Sequence, residues 1–279
     1  MERIYTPVCT HGNGVFRSGF NLGSNTFDYL GAKLHNMKTD YYHTFYPDTC
    51  YHVYNKAISE LLLFPEEKYF DRFLEKFDTY LGNYISMYAY ALIPNHFHFL
   101  VKCRTFDSQT LDKVASEGTG KATKFLEGEI SYNDFIVDQF RRFFDSHSKW
   151  FNKKNERKGS LFLKKFKRIT IRNAEHFRYM LLYIHHNPLH HGFAEAYHLW
   201  KYTTYWKYLN VDSSLTGYAA VMNLFDEGRT GFLKFHEENK HGEGIYPLSR
   251  HPRFGACDEE NLPEISGVHS AIEISWLKD

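Results

Sequence analysis

Proline is scarce in this chain, with eight in 279 residues, while 43% of the residues are hydrophobic. That balance argues against a collagen-like or wholly disordered polymer. Cysteine is equally sparse: Cys9, Cys50, Cys103 and Cys257 lie far apart and form no CxxC pair. A disulfide framework and a cysteine zinc knuckle are therefore disfavoured, and reduced thiols are expected. No apolar run approaches the roughly 20 residues that span a bilayer, and the opening MERIYTPVCTHGNG lacks the apolar core of a secretory signal. The sequence reads as a soluble, cytoplasmic protein with no membrane partner. Net charge is nearly absent, with 34 Lys and Arg against 33 Asp and Glu, so overall charge names no partner.

Aromatic residues are abundant, at 18% through 25 Phe, 21 Tyr and four Trp. They serve a core or stack on planar ligands. Residues 1–45 carry scattered Gly, Asn and Thr without sustained periodicity and read as a loop-rich arm. Residues 49–57 (TCYHVYNKA) alternate as a strand. After Pro65, apolar residues from Tyr69 to Leu81 recur at helical spacing and stop at Gly82. Residues 85–92 and 96–103 are strand material, with a bend or bulge at Ile93-Pro94-Asn95. A second long helix is predicted over 134–155 and a basic strand over 161–171. A further helix is capped by Asn173 and ended by Pro188. The order strand, helix, strand, strand, helix, strand predicts an α+β, ferredoxin-like antiparallel sheet with helices on one face, plus one additional helix. Beyond Asn210, GYAAVMNLF reads as a short helix and HEENKHGEGIYPLSRHPRFG mostly as loop. The expected division is an arm at 1–45, a principal domain at 46–209 and a C-terminal appendage at 210–279.

Charge is distributed unevenly. Between Arg141 and Arg172 twelve basic residues face only Asp145 and Glu156, a local net of +10 in a chain whose total is +1. Such a window suits a polyanion. Arg141, Arg142, Lys149, Lys153, Lys154, Arg157, Lys158, Lys164, Lys165, Lys167 and Arg168 are the candidate nucleic-acid contacts. Phe143, Phe144, Trp150, Phe151, Phe162 and Phe166 interleave with them, either as core or as stacking surfaces for unpaired bases. The segment after Asn210 has twelve acidic residues against six basic ones and is a poor nucleic-acid surface.

Two further constellations carry chemistry. Residues two apart on a strand share a face, so His96 and His98 project together, away from Phe97 and Phe99. The pair is either a shared metal site or two ordinary satisfied histidines. On a helix Tyr183 and Asn187 lie on one face, so a phenol and an amide oxygen approach one centre; the same residues also read as a buried tyrosine followed by an Asn-Pro helix stop. Three ordered motifs together resemble one family. They are Leu92-Ile93-Pro94-Asn95-His96-Phe97-His98-Phe99-Leu100-Val101, then Gly159-Ser160-Leu161-Phe162 amid basic residues, then Tyr183-Ile184-His185-His186-Asn187-Pro188 with Gly192. Tyr51-His52-Val53-Tyr54-Asn55-Lys56 and Trp200-Lys201-Tyr202-Thr203-Thr204-Tyr205 extend the pattern at either end.

Over residues 49–208 this combination resembles the REP-associated tyrosine transposases, members of the HUH single-strand endonucleases. The resemblance implies His96 and His98 as metal ligands, Asn187 completing the site, Tyr183 as nucleophile, and magnesium or manganese as the divalent ion. It also implies single-stranded or hairpin DNA as partner and a monomer or homodimer. The chemistry is consistent: a free phenol has a pKa of about 10 and needs help to become a nucleophile at neutral pH. The expected product is a 5′-phosphotyrosine with a free 3′-hydroxyl. His185 and His186 are expected to contact phosphate or base. Two other readings stay open, a domesticated protein that binds structured DNA or RNA without cutting, and a hydrolytic metalloenzyme that uses water.

Overall fold

The computed structural model describes residues 41–163, 165–210 and 217–241. Most of the expected N-terminal arm, Lys164 and the chain beyond 241 lie outside the described residues. Four strands, β1 (Cys50–Lys56), β2 (Ile85–Ile93), β3 (His96–Cys103) and β4 (Lys167–Thr170), form one sheet in the order β2-β3-β1-β4. Every neighbouring pair is antiparallel. This is the ferredoxin-like order the sequence predicts, with β1 and β3 central.

Local sequence explains the strand contacts. Ile93 pairs with His96, so Pro94 and Asn95 form a two-residue hairpin turn rather than a bulge. The bulge lies earlier, where the register shifts between Met87 and Ala89. It changes the parity of β2, so Ile85 and Leu92 both enter one core while Ala89 and Ala91 face the other side.

Two long helices, α1 (Glu67–Leu81) and, later in the chain, a 23-residue helix (Tyr132–Lys154), cover the first face. Phe73 and Phe77 of α1 pack there against Phe97, Phe99 and Phe143. Between them come α2 (Ser108–Ser116) and α3 (Gly120–Leu126), which sequence periodicity did not single out. The long helix is therefore α4. It starts two residues before the expected Asp134 because Ser131 and Asp134 form a reciprocal capping box. Phe143, Phe144, Phe151, Phe162 and Phe166 are all buried in this helix-side core. Of the interleaved aromatics only Trp150 is partly exposed, and Arg72 lies over its ring.

Two expectations need correction. The basic strand over 161–171 is only the four residues of β4. Before it, the backbone still follows the β1 end, with Ile58 N–H donating to Leu161 O and Leu163 N–H to Lys56 O, but only Ala57 and Phe162 form a bridge. Pro188 does not end its helix either: α5 runs Ala174–His190 with Pro188 inside the last turn. A proline deprives a helix of its own N–H bond, here the one to the Ile184 carbonyl, and its ring crowds that carbonyl. The turn closes regardless, through His191 N–H to Asn187 O and Phe193 N–H to Pro188 O.

Helix α5 lies on the second face of the sheet, packed on Ala89, Ala91 and Leu100. Its far side is covered by α6 (Tyr205–Leu209), α7 (Tyr218–Met222) and α8 (Arg229–Glu238) through Tyr205, Tyr208, Val221 and Phe232. Part of HEENKHG is thus helical where a loop is expected. Residues 200–204 close the outer edge of β2: Leu92 N–H donates to Tyr202 O, Thr204 N–H to Tyr90 O, and the Trp200 indole to Leu92 O. No helix of the described residues is long and apolar enough to cross a membrane.

Candidate active site

On β3, Phe97, Phe99 and Val101 enter the helix-side core, which leaves His96 and His98 on the face toward α5. The i, i+4, i+8 spacing of α5 aligns Tyr183, Asn187 and the following His191 along one stripe. Strand and helix bring these groups together. His96 Nε2 lies 3.1 Å from Asn187 Oδ1. The Tyr183 ring stands edge-on to His98 with centroids 5.3 Å apart, and the His191 ring stands 4.9 Å from that of His96. His96 and His98 are themselves 5.1 Å apart, with perpendicular rings.

β1 contributes what sequence reasoning left without a role. His52 and Tyr54 point to the same face as His96 and His98, and His52 Nε2 sits 2.9 Å from His98 Nδ1. In the β1–β3 register Tyr54 opposes His98, so His52 reaches it diagonally. Alternation alone places His52 on this face; the contact needed the register. Lys56 opposes His96 across the same ladder, and Lys167 of β4 opposes Tyr54 with its ammonium 5.7 Å from that ring. Two cations thus stand on the histidine face. Asn95, in the hairpin turn, accepts from His96 Nδ1 through its Oδ1 at 2.8 Å.

The site is closed. Tyr183, His96 and His98 are only 3–5% exposed. Burial holds both His96 and His98 well below the ordinary imidazole pKa, with nearby imidazoles adding to the effect, and it pushes His52 down to about 3. Neutral imidazoles are the forms that can ligate a cation. Among the described residues no set of three or more His, Cys, Asp or Glu side chains gathers as a metal-binding group. The donors present are two imidazoles and one amide. They fit a divalent ion in one specific respect: His98 Nε2 and Asn187 Nδ2 are fully buried without a hydrogen-bond partner. With the O and N of this amide exchanged, His96 Nε2 gains a donor and Oδ1, the atom able to ligate, turns inward.

The other predicted residues divide. Arg141 forms ion pairs with Asp138 and Asp145, and Arg142 with Glu117, so both charges are answered locally. Arg157 donates to Asn152 Oδ1 and Ser160 O. Arg168 lies over Phe45 and Phe166. Lys149, Lys153, Lys154 and Lys158 are exposed at the end of α4 and just beyond it, and Lys165 is exposed beside Tyr42. Lys164 falls outside the described residues. A cavity of about 660 Å³ opens between α4 and residues 159–168, lined in part by Lys149, Lys165 and Phe162.

His185 and His186 do not reach the site. His185 is buried between His236 at 2.9 Å and the Thr204 hydroxyl at 2.9 Å, and His186 contacts the Tyr197 hydroxyl. Both serve the packing of α5 against its outer cover, not the phosphate contacts the sequence suggested.

No family model matches the chain, and no curated protein matches it. Among solved structures, it is similar to a REP-associated tyrosine transposase bound to a REP hairpin, at 13% identity over 64% of this chain and 88% of that one, with a TM-score of 0.43.

Proposed function

We propose that this protein is a divalent-ion-dependent enzyme that nicks and rejoins single-stranded DNA beside hairpins, with Tyr183 as nucleophile. The observation that carries the reading is the convergence of one phenol, two imidazoles and one amide, from segments 85 or more residues apart, on one face of the sheet. The Tyr183 oxygen attacks the scissile phosphorus, the 3′-oxygen leaves with a proton, and a 5′-phosphotyrosine remains. Attack by another 3′-hydroxyl reverses the step and joins strands without ATP. An ion held by His96, His98 and Asn187 would supply Lewis-acid stabilisation of the charge that develops on the phosphate oxygens. Two nitrogen donors suit Mn²⁺ better than Mg²⁺, which prefers oxygen. Lys56 and Lys167 stand where they attract the phosphate, and the exposed lysines around the end of α4 follow the flanking backbone. The REP-hairpin complex of the similar structure accords with a structured DNA partner.

A second reading, binding of structured DNA or RNA without cleavage, is favoured by the low exposure of Tyr183 and both imidazoles. A phosphate reaches them only if α5 or its neighbours shift. Trapping separates the two. Incubated with Mn²⁺ and a 3′-labelled hairpin oligonucleotide carrying single-stranded flanks, the protein is expected to acquire the label covalently, whereas Tyr183→Phe binds the same DNA without forming the adduct. An adduct of undiminished yield in the Phe variant removes Tyr183 from the role, and no adduct in either protein leaves the binding reading.

A further inference from the structure

The contact between His52 and His98 contains one proton, and where it resides decides what His98 can do. If His52 Nε2 carries it, His98 Nε2 must be the protonated nitrogen of its own ring, and a buried N–H then points into the site with no acceptor. If His98 Nδ1 carries it, Nε2 presents a lone pair to the space bounded by His96, Asn187 and Tyr183. The neighbouring ligand shows the same construction. His96 Nδ1 lies 2.8 Å from Asn95 Oδ1, which takes the Nδ1 proton and leaves His96 Nε2 as a lone pair, so the Asn187 amide 3.1 Å from Nε2 turns its N–H, not its oxygen, toward that nitrogen. Each imidazole thus has its outer nitrogen held by a second group and its inner nitrogen turned toward the same place.

We propose that His52 is a positioning residue that accepts the Nδ1 proton of His98 and so fixes the His98 tautomer and ring orientation needed to bind a divalent ion. The proposal rests on the ion site of the proposed function. Groups behind a ligating histidine orient it and raise its basicity. His52 is placed for this by the diagonal register between β1 and β3, is wholly buried, and has its ring stacked on Tyr54 at 4.7 Å, which limits its rotation. The pairing of Asn95 with His96 and of His52 with His98 makes the support two-sided. It comes from the hairpin turn on one flank and from the central strand on the other.

The test uses the full chain and two readouts. Long-range ¹H–¹⁵N correlation spectra of the histidine rings are expected to show His98 protonated at Nδ1 in the wild type. Mn²⁺ titration followed by electron paramagnetic resonance reads affinity without reference to cutting. His52→Leu removes the acceptor and is expected to weaken Mn²⁺ binding roughly 10- to 100-fold, while His52→Gln, which offers an amide oxygen, stays within about threefold of wild type. A wild-type His98 protonated at Nε2, or a folded His52→Leu protein with unchanged Mn²⁺ affinity, overturns the proposal. Should His52→Leu fail to fold, the wild-type spectrum still decides. If His98 is protonated at Nδ1 but the wild type takes up no Mn²⁺, the ion site of the proposed function falls while the His52 hydrogen bond stands.

Discussion

Tyr183 stands roughly perpendicular to two imidazoles, with ring centroids 5.3 Å from His98 and 5.8 Å from His52, in a space where it is 4% exposed. A phenol in such surroundings is desolvated and gains nucleophilicity only when positive charge is brought to it. In the proposed mechanism the two inner imidazole nitrogens would bring it by holding the ion, so His96→Ala combined with His98→Ala is expected to abolish Mn²⁺ uptake. Adduct formation should fall by on the order of a hundredfold or more, since Lewis-acid stabilisation contributes several kcal/mol. Binding of the hairpin, measured by fluorescence anisotropy, should change little because the exposed lysines lie elsewhere. Adduct yields unaffected by the double substitution, or by a chelator, sink the ion-binding role. At this scale much of the site was legible in the sequence. Period-two alternation separates His96 and His98 from Phe97 and Phe99, and helical spacing aligns Tyr183 with Asn187. What it could not give was His52, because strand alternation says which face a residue takes but not which residue of the next strand it meets.

The helix that carries Tyr183 depends on what lies beneath it. Ala89 and Ala91 of β2 are buried and small, and α5 packs on them through the cluster that includes Leu181 and Ile184. A larger side chain there pushes the helix from the sheet. Ala89→Leu is accordingly expected to cost about 1–3 kcal/mol in urea denaturation. It should also lower adduct yield and Mn²⁺ affinity together, because Asn187 and Tyr183 move away from His96 and His98 as one body. Loss of stability with full Mn²⁺ affinity means that the helix position does not set the site. Elements of this kind were legible wherever local signals suffice. The Asn173 cap and apolar content predict α5, yet nearly every residue from Met180 to Pro188 is buried, so no polar face tells which side meets the sheet. Pro188 misled for a related reason: it is a strong local stop, but packing on both sides carries the helix past it. The bulge at Tyr88 was equally invisible, since it exists to reconcile Ile85 and Leu92 with one core.

Across the whole molecule, histidine does much of the interior's polar work. From β2 to α8 one chain of bonds follows a fixed direction. Tyr90 N–H donates to the Thr204 hydroxyl, that hydroxyl to His185 Nε2, His185 Nδ1–H to His236 Nε2, and His236 Nδ1–H to Phe232 O. Every ring in it is neutral, and protonation of any nitrogen that accepts breaks a link. Burial pushes His236, His186 and His191 down to about 4, His52 and His147 to about 3, and ten of the seventeen histidines below their ordinary value. The unfolded chain takes up protons on these rings near pH 6.5, whereas the folded chain holds all ten below that value, with His176, His186, His191 and His236 down to about 4. Stability from these groups is therefore fully present above about pH 6.5 and is lost as pH falls through the window between 6.5 and 4. At about 1.4 kcal/mol per pH unit for each ring, even half of them remove about 7 kcal/mol per unit, which is comparable with the whole stability of a domain. Cooperative acid unfolding above pH 5, followed by circular dichroism, is the expected outcome. His236→Gln, which removes one titrating ring from the chain, should flatten the pH dependence of the urea midpoint below pH 6.5 while lowering the midpoint itself at pH 8. A wild-type midpoint that stays constant from pH 8 to pH 5 shows that the buried rings bind protons as readily folded as unfolded.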